Sequence, residues 1–98
     1  MNINKNQEDK KVTLKVDGRL DTTTAPELEA AIEECIDGLE ELNLDFADLE
    51  YISSAGLRVI LAAQKKMNKQ GKMVIKNAND VIMEVFEITG FVDILTIE

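Results

Sequence analysis

The stretch Leu42-Asn43-Leu44-Asp45-Phe46-Ala47-Asp48-Leu49-Glu50-Tyr51-Ile52-Ser53-Ser54-Ala55-Gly56-Leu57-Arg58 decides the fold. Leu42, Leu44 and Phe46 alternate with Asn43 and Asp45, the period-2 pattern of a strand buried on one face. Asp48–Ile52 reads as a loop. Ser53-Ser54 then opens a helix marked by Leu57, Ile60, Leu61, Gln64 and Met67 and ending near Gly71. A strand that feeds a helix through a short loop is the first half of a parallel crossover.

Working outward, the same grammar repeats. On the N-terminal side Val12, Leu14 and Val16 alternate with Thr13 and Lys15, giving a second one-faced strand. A short strand over Met1–Asn6 and the polar turn Gln7-Glu8-Asp9-Lys10 make a hairpin with it. Thr24-Ala25-Pro26-Glu27 predicts a helix start, with Thr24 as N-cap, Glu27 completing a capping box and Pro26 in the first turn. Leu28, Ala31, Ile32, Cys35, Ile36 and Leu39 come next at helical spacing, so Cys35 is expected in the core; Gly38 lies near the helix end. On the C-terminal side Met73-Val74-Ile75 is a strand. Asn79 or Asp80 caps a helix carrying Ile82, Val85, Phe86 and Thr89, stopped by Gly90, and Ile94–Ile97 is a last strand. The predicted order is β-β-α-β-α-β-α-β. This is one α/β domain over residues 1–98, a small mixed sheet with helices packed mainly on one face.

Composition excludes several functions. The net charge of −8, from 19 acidic and 11 basic residues, argues against nucleic acid and against an anionic membrane surface. It suits solubility or a partner with a basic face. No apolar run is long enough to span a bilayer. The single cysteine cannot form a disulfide within the chain, and the N-terminus has no apolar secretory region, so a cytoplasmic location is expected. Histidine is absent, which removes the commonest general base and metal ligand. No phosphate-binding or nucleophile motif occurs, so neither an enzyme nor a resident cofactor is expected.

Ser53-Ser54-Ala55-Gly56-Leu57-Arg58 remains as the informative segment. At a helix start, free N–H groups and partial positive charge accommodate a phosphate on Ser53 or Ser54. Plain capping is the simpler reading of the same residues, with Ser53 as N-cap and Gly56 present to avoid a clash or to admit another chain's backbone. Asp45, Asp48 and Glu50 read as a solvated strand end rather than a magnesium site. Lys65, Lys66 and Lys69 suit a helix C-terminus. Asp21, Thr22, Thr23 and Thr24 form a hydroxyl-rich loop of capping character.

Asp48–Arg58 resembles the motif of STAS-domain anti-sigma factor antagonists. Gly18-Arg19-Leu20-Asp21 with Ala25-Pro26-Glu27-Leu28, Lys72–Ile75 and Val85–Phe91 extend the resemblance over nearly the whole chain. It implies a small mixed sheet with helices mainly on one side. It also implies a non-enzymatic binding switch. The unphosphorylated form binds an anti-sigma factor that is itself a GHKL-type serine kinase, phosphorylation of Ser54 ends the binding, and a PP2C-type phosphatase resets it. Ser53 stands where the family often has aspartate and is a competing acceptor. The implied docking surface takes in Asp21, Thr22, Thr23, Thr24, Tyr51, Ser53, Ser54, Ala55, Gly56 and Arg58. The alternative within the fold is a scaffold or nucleotide-sensing module acting on a non-sigma target.

Overall fold

The computed structural model describes residues 1–98 and resolves the predicted alternation into six strands and three helices. Strand β1 (Asn2–Glu8) turns through Asp9-Lys10 into β2 (Lys11–Leu20), with Glu8 opposite Lys11; Asp9 takes a positive φ of 56° to close this two-residue connection. Helix α1 (Ala25–Cys35) leads to β3 (Glu41–Asp45), β4 (Leu49–Ile52) and α2 (Ser54–Met67). Strand β5 (Lys72–Lys76), α3 (Asp80–Thr89), a 3-10 turn (Phe91–Asp93) and β6 (Thr96–Ile97) complete the chain. The sheet order is β1-β2-β3-β5-β6, with β1 antiparallel to β2 and the other pairs parallel.

Strand register explains why helices cover one face. Val12, Leu42 and Met73 lie side by side, as do Leu14, Leu44 and Ile75, and all six belong to the buried core cluster. The intervening row, Thr13-Asn43-Val74, points the other way. That second face is mostly polar, with Asn43 and Val74 buried at its centre. Glu41 sits between Lys11 and Lys72 at 3.4 and 3.5 Å and accepts a 2.9 Å hydrogen bond from the Asn43 amide, which lowers the Glu41 pKa. The core side is closed by Leu28 and Ile32 of α1, Leu57, Ile60 and Met67 of α2, and Ile82 and Phe86 of α3.

The α/β class and the one-sided packing match the sequence expectation, and the element order gains one strand. The predicted loop Asp48–Ile52 contains β4, which pairs with β2 beyond the point where β3 ends. Gly18 is opposite Leu49, Arg19 opposite Tyr51 and Leu20 opposite Ile52. The register therefore slips by one residue between Gly18, at φ +97°, and Arg19. The slip lets Leu49 and Ile52, three residues apart, both enter the core. Other expectations shift too: the polar turn shrinks to Asp9-Lys10 because Gln7 and Glu8 pair with Val12 and Lys11, and α1 ends at Cys35, short of Leu39. The last strand is Thr96–Ile97 rather than Ile94–Ile97, because Gly90 at φ +79° turns the chain into the 3-10 turn before it reaches β5. Cys35 is only half-buried at the core's rim, with its thiol pushed up by desolvation. No helix is long and apolar enough to cross a membrane.

Candidate partner-docking site

Two parallel strands, β2 and β4, end side by side at Leu20 and Ile52. The segments that continue from these two strand ends form the site. The Ser53 amide donates to the Leu20 carbonyl at 2.8 Å, the last stitch between them. Beyond it, β4 passes directly into α2, while β2 passes through Asp21–Thr24 into α1. The N-termini of both helices thus share one end of the sheet, the carboxyl ends of the strands, where open α/β folds place their ligands.

Ser53 is the N-cap of α2. Its backbone is extended and its hydroxyl accepts from the Gly56 amide, at a long 3.5 Å. Ser54 is the first helical residue; it is exposed and its hydroxyl takes part in no hydrogen bond. Ala55 and Arg58 line a shallow depression whose other wall is Thr22, Ala25, Pro26 and Glu29.

The loop Asp21–Thr24 is wired differently from the predicted capping box. Thr24 gives α1 no side-chain cap. Its hydroxyl instead donates to the Arg19 carbonyl at 2.7 Å and accepts the Asp21 amide at 2.8 Å. Asp21 ties the loop together instead: Oδ1 accepts the Thr23 hydroxyl at 2.8 Å and the amides of Thr23 and Thr24 at 3.0 and 3.2 Å, while its backbone carbonyl accepts the Ala25 amide that opens α1. The Thr23 hydroxyl, then the Thr24 and Thr23 amides, hold the Asp21 carboxyl below its ordinary pKa. The loop's shape is therefore set by an ionised carboxylate.

Tyr51 is 38% exposed, and the Arg19 guanidinium lies 4.4 Å from its ring centroid, a cation–π stack. Arg19 also faces Asp21 at 4.0 Å. Sequence reasoning left Arg19 out of the docking surface; its position between Gly18 and Asp21 was the available signal.

Of the two readings of Gly56, avoidance of a clash is the one the structure supports. Gly56 is buried, and a Cβ there would lie 2.6 Å from Leu20 Cγ and 3.1 Å from Ile52 Cγ1. The missing side chain makes room for the protein's own core rather than for another chain's backbone. The acidic trio disperses: Asp45 accepts from the Ala47 amide and the Asn77 side chain, Asp48 pairs with Lys15 at 3.1 Å, and Glu50 is exposed to solvent.

Comparison with known proteins gives this end of the sheet a context. The family model of the STAS domain matches residues 2–98. BtrV of Bordetella bronchiseptica, which carries the name anti-sigma factor antagonist, is 39% identical over 82 residues, covering 82% of this chain and 71% of its own. The anti-sigma-B factor antagonist of Staphylococcus aureus is 33% identical over 97 residues, covering 97% of this chain and 90% of its own. Among solved structures, the anti-sigma factor antagonist SpoIIAA in its unphosphorylated form superposes with a TM-score of 0.84 at 17% identity, over 99% of this chain and 88% of that one. SpoIIAA of Bacillus in the phosphorylated form gives 0.77 over 99% and 91%. With its family match running from residue 2 to residue 98 and a relative aligned across nearly its full length, this chain belongs to the STAS-domain family.

Proposed function

We propose that this protein is an anti-sigma factor antagonist that docks its partner on the end of the sheet where α1 and α2 begin, and that phosphorylation of Ser54 switches the docking off. The observation that carries the reading is the placement of Ser54. It is an exposed serine with a free hydroxyl, first in its helix, beside the ordered Asp21–Thr24 loop. Ser53 is the poorer acceptor because its hydroxyl is engaged with the Gly56 amide and its backbone is tied to Leu20. The relatives' names, and the existence of SpoIIAA in both phosphorylation states, support the same reading.

In this cycle the anti-sigma factor is a GHKL-type serine kinase using Mg-ATP, a PP2C-type phosphatase resets Ser54, and this chain performs no catalysis. The switch is electrostatic. A phosphate brings about −1.5 to −2 charges to a surface the partner must desolvate. A loss of roughly 3–4 kcal/mol weakens binding by about two to three orders of magnitude.

Intact mass after incubation with the partner kinase and Mg-ATP tests the reading, on wild type and Ser54→Ala. One phosphate on wild type and none on the variant is expected. Phosphate retained on the variant moves the acceptor to Ser53 or elsewhere. No phosphate on either favours a STAS module that binds a non-sigma target without this switch.

A further inference from the structure

We propose that Arg58 is the intramolecular partner of a phosphate on Ser54, so that the modified residue is held by its own helix. The inference rests on the reading of Ser54 as the phosphorylated residue and adds what the phosphate does next. Ser54 and Arg58 are the first and fifth residues of α2. At that spacing side chains are neighbours, with Cβ atoms about 6 Å apart. Side chains on a helix lean toward its N-terminus, so a guanidinium at position 58 can reach back to the turn that carries Ser54.

Arg58 is also uncommitted. It is exposed and takes part in no ion pair or side-chain hydrogen bond. The chain's other arginine, Arg19, is already stacked on Tyr51 and set against Asp21. Of the nearby acids, Asp21 is occupied by Thr23 and Thr24, and Glu29 shares the depression with Arg58 without pairing to it. A phosphate on Ser54 would be the strongest acceptor within reach of that guanidinium, which presents a planar fork suited to two phosphate oxygens.

Phosphorylation then changes the surface twice. It adds negative charge, and it withdraws the Arg58 cation from the depression formed with Thr22, Ala25, Pro26 and Ala55.

The test needs no kinase. Phosphoserine is incorporated genetically at position 54, and the phosphorus resonance is titrated in the intact protein for the Arg58 form, R58Q and R58K. The second phosphate ionisation is expected to lie higher in R58Q by roughly 0.2–0.4 pH unit, the worth of such a helical pair. R58K, which keeps the charge, should hold the lower value. Coincident titrations for the Arg58 form and R58Q, with circular dichroism showing both folded, overturn the proposal. Because the phosphate is installed genetically, failure of kinase labelling in the mass experiment would count against Ser54 as a kinase substrate and leave this result separate.

Discussion

In sequence Gly56 could be spared for a neighbour within the chain or for another chain, and in space it is spared for Leu20. The Leu20 side chain is fully buried and sits where a Cβ on residue 56 would go. Gly56→Ala should therefore destabilise the fold by about 1–3 kcal/mol through overpacking, offset in part by the roughly 1 kcal/mol alanine gains in a helix. A lower urea midpoint with unchanged slope is the expected result; a raised midpoint would mean that Leu20 repacks freely. Asp21 teaches a related lesson. Sequence spacing assigned the cap to Thr24 with Glu27, but the Thr24 hydroxyl is taken by the Arg19 carbonyl and the Asp21 amide. Asp21 gathers donors from Thr23 and Thr24 on one oxygen and closes the loop before the helix begins, so α1 starts without a side-chain cap. Residue types marked this loop as capping chemistry; which oxygen did the work depended on the path of β2 into it.

Among the elements, those with a plain period were readable. Val12-Leu14-Val16, Leu42-Leu44-Phe46, Leu28 and Ile32 of α1, Leu57, Ile60 and Met67 of α2, and Ile82 and Phe86 of α3 occupy the core as their spacing requires, while Cys35, Leu61 and Val85 are half-buried and Thr89 is exposed. Strand β4 was not readable, because the register slip after Gly18 replaces alternation with two buried residues flanking two exposed ones. Its neighbour α3 depends on Asn79, whose side chain does two jobs. Oδ1 accepts the Ile82 amide at 2.9 Å as the N-cap, and Nδ2 donates to the Leu49 carbonyl at 2.8 Å, fastening the helix to β4. Asn79→Ala should cost about 1–3 kcal/mol by losing the cap and leaving that carbonyl without its donor. Asn79→Asp keeps the cap but sets a carboxylate oxygen against the Leu49 carbonyl, so it too should melt below wild type. Equal melting for all three proteins would show that α3 docks through Ile82 and Phe86 alone.

The molecule as a whole has two unlike ends. Where the parallel strands finish, the chain displays Ser54, Asp21–Thr24, Tyr51 and the two arginines. Where they start, the backbone is sewn together: the amides of Glu40 and Glu41 both reach the Lys10 carbonyl, and the Lys72 amide reaches that of Glu40 at 3.0 Å. Gly71 passes so close that any Cβ would overlap the Glu40 backbone. Gly71→Ala should therefore be among the most damaging single changes, exceeding Gly56→Ala, because a carbonyl in a ladder cannot rotate aside as leucine can. Comparative urea unfolding of the two variants checks the ranking. A glycine serves each end: Gly71 lets two backbones meet where the strands start, and Gly56 makes room for Leu20 and Ile52 where they finish.

Tyr51 brings one further consequence. The chain has one tyrosine and no tryptophan, and the tyrosine lies at the proposed docking surface with a guanidinium against its ring. Light absorbed in the tyrosine band is therefore re-emitted from that spot alone. The protein carries an intrinsic optical gauge of its own occupancy: an arriving surface that displaces Arg19, or brings an indole near, changes the brightness of a single phenol without any label being attached.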